Sequence, residues 1–171
     1  FFAKHGIDAE LILVRGSPIL AAAMSSGDIE VGFTGGTAVL GAAVGGSDLK
    51  ILAHFTNRVT FDLVARPGIR TVKDLRGKRF GVVSIGGTTW MAAILGMEYL
   101  GLEPGRDNIT LTAVGDQTVL AQAVLAGTID ATLLTIPPAS VRASCVRASS
   151  VNPGIAPLVA ENMAPPTIDP I

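Results

Sequence analysis

Laid on itself with a shift of one hundred residues, the sequence repeats. Leu11 meets Leu111, Val14 meets Val114, Leu20-Ala21 meets Leu120-Ala121, Ala23 meets Ala123, Gly27 meets Gly127, and Ile29-Glu30 meets Ile129-Asp130. Each copy has the pattern of a strand, a loop, an Ala-rich helix, a glycine and a second strand opened by an acidic residue. Two copies are too few for a solenoid, which needs at least about three. The shared register therefore predicts two lobes of similar plan with a cleft between them, and clefts bind ligands. The alternative is a chance match between two βαβ units in a chain rich in Ala, Leu and Gly.

Around the copies, short β-rich runs alternate with helical runs, each punctuated by glycine. Strands are expected over 9–14, 29–33, 50–55 and 60–65, and helices over 18–26 and 37–44. Residues 1–5 resemble the last turn of a helix closed by Gly6. Arg66-Pro67-Gly68 breaks the run and a short helical turn follows over 72–75. The rhythm then resumes, with strands over 79–84, 109–114 and 130–134 and helices over 88–100 and 118–126. Such alternation argues for an α/β fold with mainly parallel sheets flanked by helices. A boundary near Pro67 divides a first lobe, 1–67, from a second, 68–141, and the Ser/Ala/Pro-rich tail 142–171 reads as coil or irregular surface.

Composition narrows the function. The 171 residues are 49% hydrophobic and 16% charged, with a mean hydropathy of +0.51, so a core forms. Thirteen basic residues against fourteen acidic give a net charge of -1, which lacks the electrostatic footprint of a nucleic-acid or anionic-membrane partner. The longest uncharged stretch, 80–97, is too polar and glycine-rich for a spanning helix. One cysteine, Cys145, excludes an internal disulfide or a Cys-rich zinc site. His5 and His54 have no neighbours at metal-ligand spacing, so no metal or cofactor is expected.

Chemistry concentrates at two Gly/Thr turns between a strand and a helix, Thr34-Gly35-Gly36-Thr37 and Gly86-Gly87-Thr88-Thr89. There the N–H groups of a helix's first turn point outward, glycine admits a ligand to the backbone, and the hydroxyls add donors. Thr37 and Thr88 fit equally well as ordinary helix caps. Trp90 suits either a core position or an apolar wall beside a ligand. Arg15 and Arg58 are the cations nearest the expected cleft. Gly81 and Gly86 have the glycine spacing of a phosphate-binding loop, but Gly87 stands where its lysine is needed. Ser17 and Ser84 lack the G-x-S-x-G context of a hydrolase nucleophile. These patterns predict binding without catalytic residues.

Gly16-Ser17, Gly27-Asp28-Ile29-Glu30-Val31-Gly32, Thr34-Gly35, the run Val72 to Arg79 (V-K-D-L-R-G-K-R), Gly101-Leu102 and Ala126 to Ala131 resemble the solute-binding proteins of ABC importers. The branch is that of the nitrate/sulfonate/taurine receptors and the related thiamine-pyrimidine-precursor binders. The resemblance covers residues 1 to about 138. It implies a type II periplasmic-binding fold of two lobes, incomplete at both ends here: the family's first strand and signal region are missing, and its members run on beyond the divergent tail. It further implies ligand contacts at Gly16 and Ser17, at Thr34 to Thr37, at Thr56 and Asn57, at Gly86 to Thr89, and near Thr135 and Pro137.

The expected function is capture of a small polar or anionic solute and its delivery to a membrane permease. The location is then periplasmic, or extracellular and membrane-anchored, with no membrane insertion of this chain. Two other functions use related architectures. The effector-binding half of a transcription regulator requires an upstream DNA-binding helix pair. A thiamine-pyrimidine synthase needs a catalytic histidine and a Cys-rich motif, which a single cysteine argues against.

Overall fold

The computed structural model describes residues 1–55 and 61–135, and the backbone of 146–148. The second half of the sequence folds as its patterning predicts. β2 (Arg79–Val82), α3 (Thr88–Tyr99), β3 (Thr110–Ala113), α4 (Gln117–Ala126) and β4 (Ala131–Leu134) follow one another along the chain. β2 is central and pairs in parallel with β3 on one side and β4 on the other.

Strand alternation sorts the side chains onto two faces. Leu63, Phe80, Val82, Ala131 and Leu133 pack with Ala93 and Met97 of α3. Val64 and Leu134 pack on the other face with Leu120, Ala121 and Val124 of α4. Gly81 shares that second face, where a Cβ would overlap the Ile129 side chain and lie 2.8 Å from Leu120 Cδ2. The missing side chain lets α4 sit close to the sheet. Buried Thr132 donates its hydroxyl to the Gly81 carbonyl at 2.8 Å, so the face carries no orphaned hydroxyl there.

β1 (Asp62–Ala65) is buried along its length and runs antiparallel to β4. β5 (Val146–Ala148) pairs antiparallel with its other side, giving the order β3-β2-β4-β1-β5. The sheet is thus mixed, with a parallel half and an antiparallel half, where mainly parallel pairing was expected. The cause is the connection over 66–78, a turn at Pro67-Gly68 and one 3-10 turn (Val72–Leu75). It carries no full crossover helix, and β1 and β2, with β4 between them, run in opposite directions. Residues 146–148 also depart from the coil expected for the tail.

In the first half one helix repeats. α1 (Ser17–Ser26) and α4 are offset by one hundred residues at both ends. They close alike, on Gly27 at φ 86° and Gly127 at φ 76°. The N–H groups of Asp28 and Thr128 bond Ala23 O and Ala123 O at 2.9 and 3.0 Å, the same C-terminal motif twice. α2 (Gly36–Val44) packs on α1. The strands expected over 9–14, 29–33 and 50–55 do not form. Leu11 (84%), Leu13 (85%) and Phe33 (85%) lie exposed. A strand exists only as part of a ladder. β3 and β4 both pair with central β2, and the first half offers no counterpart of β2 among the described residues.

Candidate ligand-binding site

The chain leaves β2 on one side toward β3 and reaches β4 on the other, so the strand order reverses at β2. In such sheets the crevice outside the carboxyl ends of the strands is where ligands bind. Four helices begin at that edge or against it. Three of them, α1, α2 and α3, start on a glycine N-cap (Gly16, Gly35 and Gly87) with no side chain bonding the first turn. Their leading N–H groups therefore keep free hydrogen-bonding capacity, beside the positive end of each helix dipole.

The three starts meet. A Cβ on Gly16 would lie 3.6 Å from Ser84 Oγ, and one on Gly87 would lie 2.6 Å from the same atom and 3.8 Å from Pro18 Cδ. A Cβ on Gly35 would overlap Thr88, and Thr37 Oγ1 and Thr88 Oγ1 stand 3.5 Å apart. Glycine at these positions is what permits the approach. Ser84 Oγ, between the starts of α1 and α3, is buried and has no hydrogen-bond partner. A buried hydroxyl in that state is a donor awaiting an acceptor.

α4 begins differently. Asp116 caps it, its Oδ1 accepting from Thr118 N at 3.0 Å and Val119 N at 3.1 Å. Asp116 Oδ2 meets Arg15 Nη1 at 3.2 Å, joining the loop before α1 to the start of α4. Beside it, Gln117 Oε1 accepts from Thr135 N at 3.1 Å, just past the end of β4.

The structure thus brings together Gly16, Ser17, Gly35, Gly36, Thr37, Gly87 and Thr88 at the helix starts, with Thr135 at the α4 end of the same sheet edge. Gly86, at φ 76°, and Gly36 face open space. Thr34 precedes Gly35, half-buried. Two expectations change. Thr37 and Thr88 are not caps, since they lie inside helices that glycines begin. Thr89 is buried and its Oγ1 accepts from Val83 N at 2.9 Å, which ties the loop together rather than facing outward. Trp90 packs, half-buried, against the α3-side core. Thr56, Asn57, Arg58 and Pro137 lie outside the described residues. Sequence reasoning missed Ser84 as a group at this meeting point, and Asp116 and Gln117. The signal for the last two was present, because the Gly115-Asp116-Gln117 loop of the second repeat copy stands where Arg15-Gly16-Ser17 stands in the first.

A separate basic cavity of about 470 Å³ opens beside the amino-terminal ends of β2 and β4, lined in part by Arg66, Lys73, Arg76, Lys78, Asp74 and Asp130. Its acids are already engaged. Asp130 accepts from Arg79 Nε at 2.9 Å, Arg79 Nη2 at 3.0 Å and Arg66 Nη1 at 3.2 Å. These bonds, Arg79's foremost, hold its carboxyl far below the usual carboxylate range. Asp74 accepts from Arg70 N and Thr71 N. Among the described residues, no group of three or more His, Cys, Asp and Glu side chains is placed to hold a metal ion. No helix there is long and apolar enough to cross a membrane.

A sheet flanked by helices, with helix starts gathered outside the carboxyl ends of its parallel strands, is the layout of an α/β ligand-binding protein. A model of the NMT1/THI5-like family matches residues 1–143, and the chain belongs to that family. A Brucella abortus (strain 2308) protein, named as a candidate binding protein, is 31% identical over 81 residues, 46% of this chain and 24% of its own. The alkanesulfonate-binding protein SsuA of Xanthomonas axonopodis pv. citri, solved with bound MOPS, superposes with a TM-score of 0.61 at 24% identity, over 82% of this chain and 50% of that one. The periplasmic aliphatic sulphonate-binding protein SsuA of Escherichia coli gives 0.54 at 24% identity, over 70% and 38%. The chain has the fold of the periplasmic binding proteins, and it spans half or less of the length of these relatives.

Proposed function

We propose that this chain captures a small anionic or polar solute for an ABC importer and delivers it to a membrane permease, acting outside the cytoplasmic membrane. The observation that carries this reading is the meeting of three glycine-started, uncapped helix N-termini, two of them, those of α1 and α3, beside the unpartnered Ser84 hydroxyl and the third, that of α2, against Thr88. Such termini bind oxygen-bearing groups through N–H donors and dipole. Their donors are backbone amides and hydroxyls, which hold a ligand without transforming it, so the role is receptor rather than enzyme. The two sulfonate-binding neighbours support a sulfonate-like solute, and nitrate and a thiamine-pyrimidine precursor belong to the same set. In this reading the helices α1 and α2 of residues 1–67 and the sheet of residues 68–141, to which β1 also belongs, act as parts of two lobes that close on the solute.

A thermal-shift screen tests it. Ethanesulfonate, taurine, nitrate and an aminopyrimidine are added separately to the protein. A solute that binds only the folded state stabilises it by about 2.7 kcal/mol at a hundred times its Kd. At least one should raise the Tm, in proportion to the logarithm of its concentration. No rise with any of them, up to millimolar concentration, would remove the proposal.

A further inference from the structure

The uncapped helix starts donate to the oxygen of a sulfonate, a nitrate or a carbonyl alike, with a preference for the anion set by their dipoles; a full positive charge at the same place sharpens that preference. Arg15 is in position to supply it. It directly precedes Gly16, whose φ of 106° is open to glycine and strained for other residues, and which places the Arg15 backbone at the start of α1 beside Ser84. Its side chain is 71% exposed and makes one ion-pair contact, Nη1 to Asp116 Oδ2 at 3.2 Å. Most of the five guanidinium donors stay available. Exposed pairs of this kind are weak, so an incoming anion can share or replace the carboxylate. The partner, by contrast, is anchored, because Asp116 Oδ1 is held by two backbone N–H groups of α4. Four other arginines are committed elsewhere: Arg66 and Arg79 to Asp130, and Arg76 and Arg106 to Asp107.

We propose that Arg15 engages the charged group of an anionic solute at the gathered helix starts, and that Asp116 is the resident counterion that the solute displaces from its guanidinium. This rests on the solute-binding reading above and adds to it the residue that selects charge.

The test is calorimetric titration of the protein with ethanesulfonate and with its uncharged counterpart ethyl methyl sulfone, in four forms: wild type, Arg15→Gln, Asp116→Asn and the double variant. Asparagine also caps helices, so Asp116→Asn removes the ion pair and keeps α4. Arg15→Gln is expected to weaken ethanesulfonate binding roughly tenfold or more and to leave the sulfone unchanged. Asp116→Asn is expected to strengthen ethanesulfonate binding where Arg15 is present and not where it is Gln, a non-additivity that shows the two residues act together. Arg15→Gln with undiminished sulfonate affinity overturns the inference and leaves the receptor reading in place. So does a wild-type protein that binds the sulfone or an aminopyrimidine but not the sulfonate. An equal gain from Asp116→Asn in both backgrounds overturns the role of Asp116. Wild type that binds none of these probes, nor taurine or nitrate, overturns inference and reading together.

Discussion

At the level of single residues, glycine decides how closely the helix starts approach. Gly87 is the N-cap of α3 with φ -84°, so its backbone would tolerate other residues and the constraint is one of space. A Cβ there would stand 2.6 Å from Ser84 Oγ and 3.3 Å from Ser84 O. Alanine is also a poorer N-cap than glycine, costing about 1 kcal/mol. Gly87→Ala should therefore lower the urea midpoint. Ser84→Ala, which removes the clashing and unpartnered hydroxyl, should recover more stability in the Gly87→Ala background than it adds alone. Purely additive effects of the two changes would contradict the described contact. Sequence reading placed both Gly/Thr turns and left open whether Thr37 and Thr88 were caps or ligand contacts. Whether glycine or threonine begins a helix depends on where the first turn starts, and the local pattern Gly-Gly-Thr permits either register.

Among the elements, β2 and β4 are tied at their amino-terminal ends by Asp130. It accepts from the Arg79 backbone N–H at 3.0 Å as well as from the Arg79 and Arg66 guanidinium groups, while Arg79 Nη2 also donates to Gly127 O at 2.8 Å. The carboxyl pKa is depressed on folding, chiefly by the Arg79 side chain. The folded state therefore prefers the carboxylate. Its contribution is complete above the unfolded value of about 3.9 and is lost as pH falls from there toward the folded value. Asp130→Asn should be less stable at pH 7 and should lose less on transfer to pH 3 than wild type. Urea unfolding at the two pH values measures both, and an equal acid loss in the two proteins would count against the network. This acidic residue was legible as the opening of the last strand, since it recurs at Glu30 in the first copy. Its partners were not, because Arg66 and Arg79 approach it from sequence-distant segments through the sheet.

For the whole molecule, the sequence repeat predicted matching halves, and among the described residues the match is confined to one pair of helices. α1 and α4 coincide with their glycine closures, whereas 9–14 and 29–33 have strand composition without a ladder. Composition sets where a strand can form; a neighbour sets whether it does. The turn residues were legible because they lie beside regular elements. Asp116, Gln117 and Ser84 became visible as a group only once four helix starts were placed together. The central claim is that those starts, rather than the basic cavity at the opposite edge, receive the solute. Amide hydrogen exchange with and without the solute that raises the Tm tests it most directly. Slowed exchange is predicted at residues 17–20, 36–38 and 87–91, with the cavity segment 66–78 unchanged. Protection confined to 66–78, with the helix starts exchanging as in the free protein, would contradict the account.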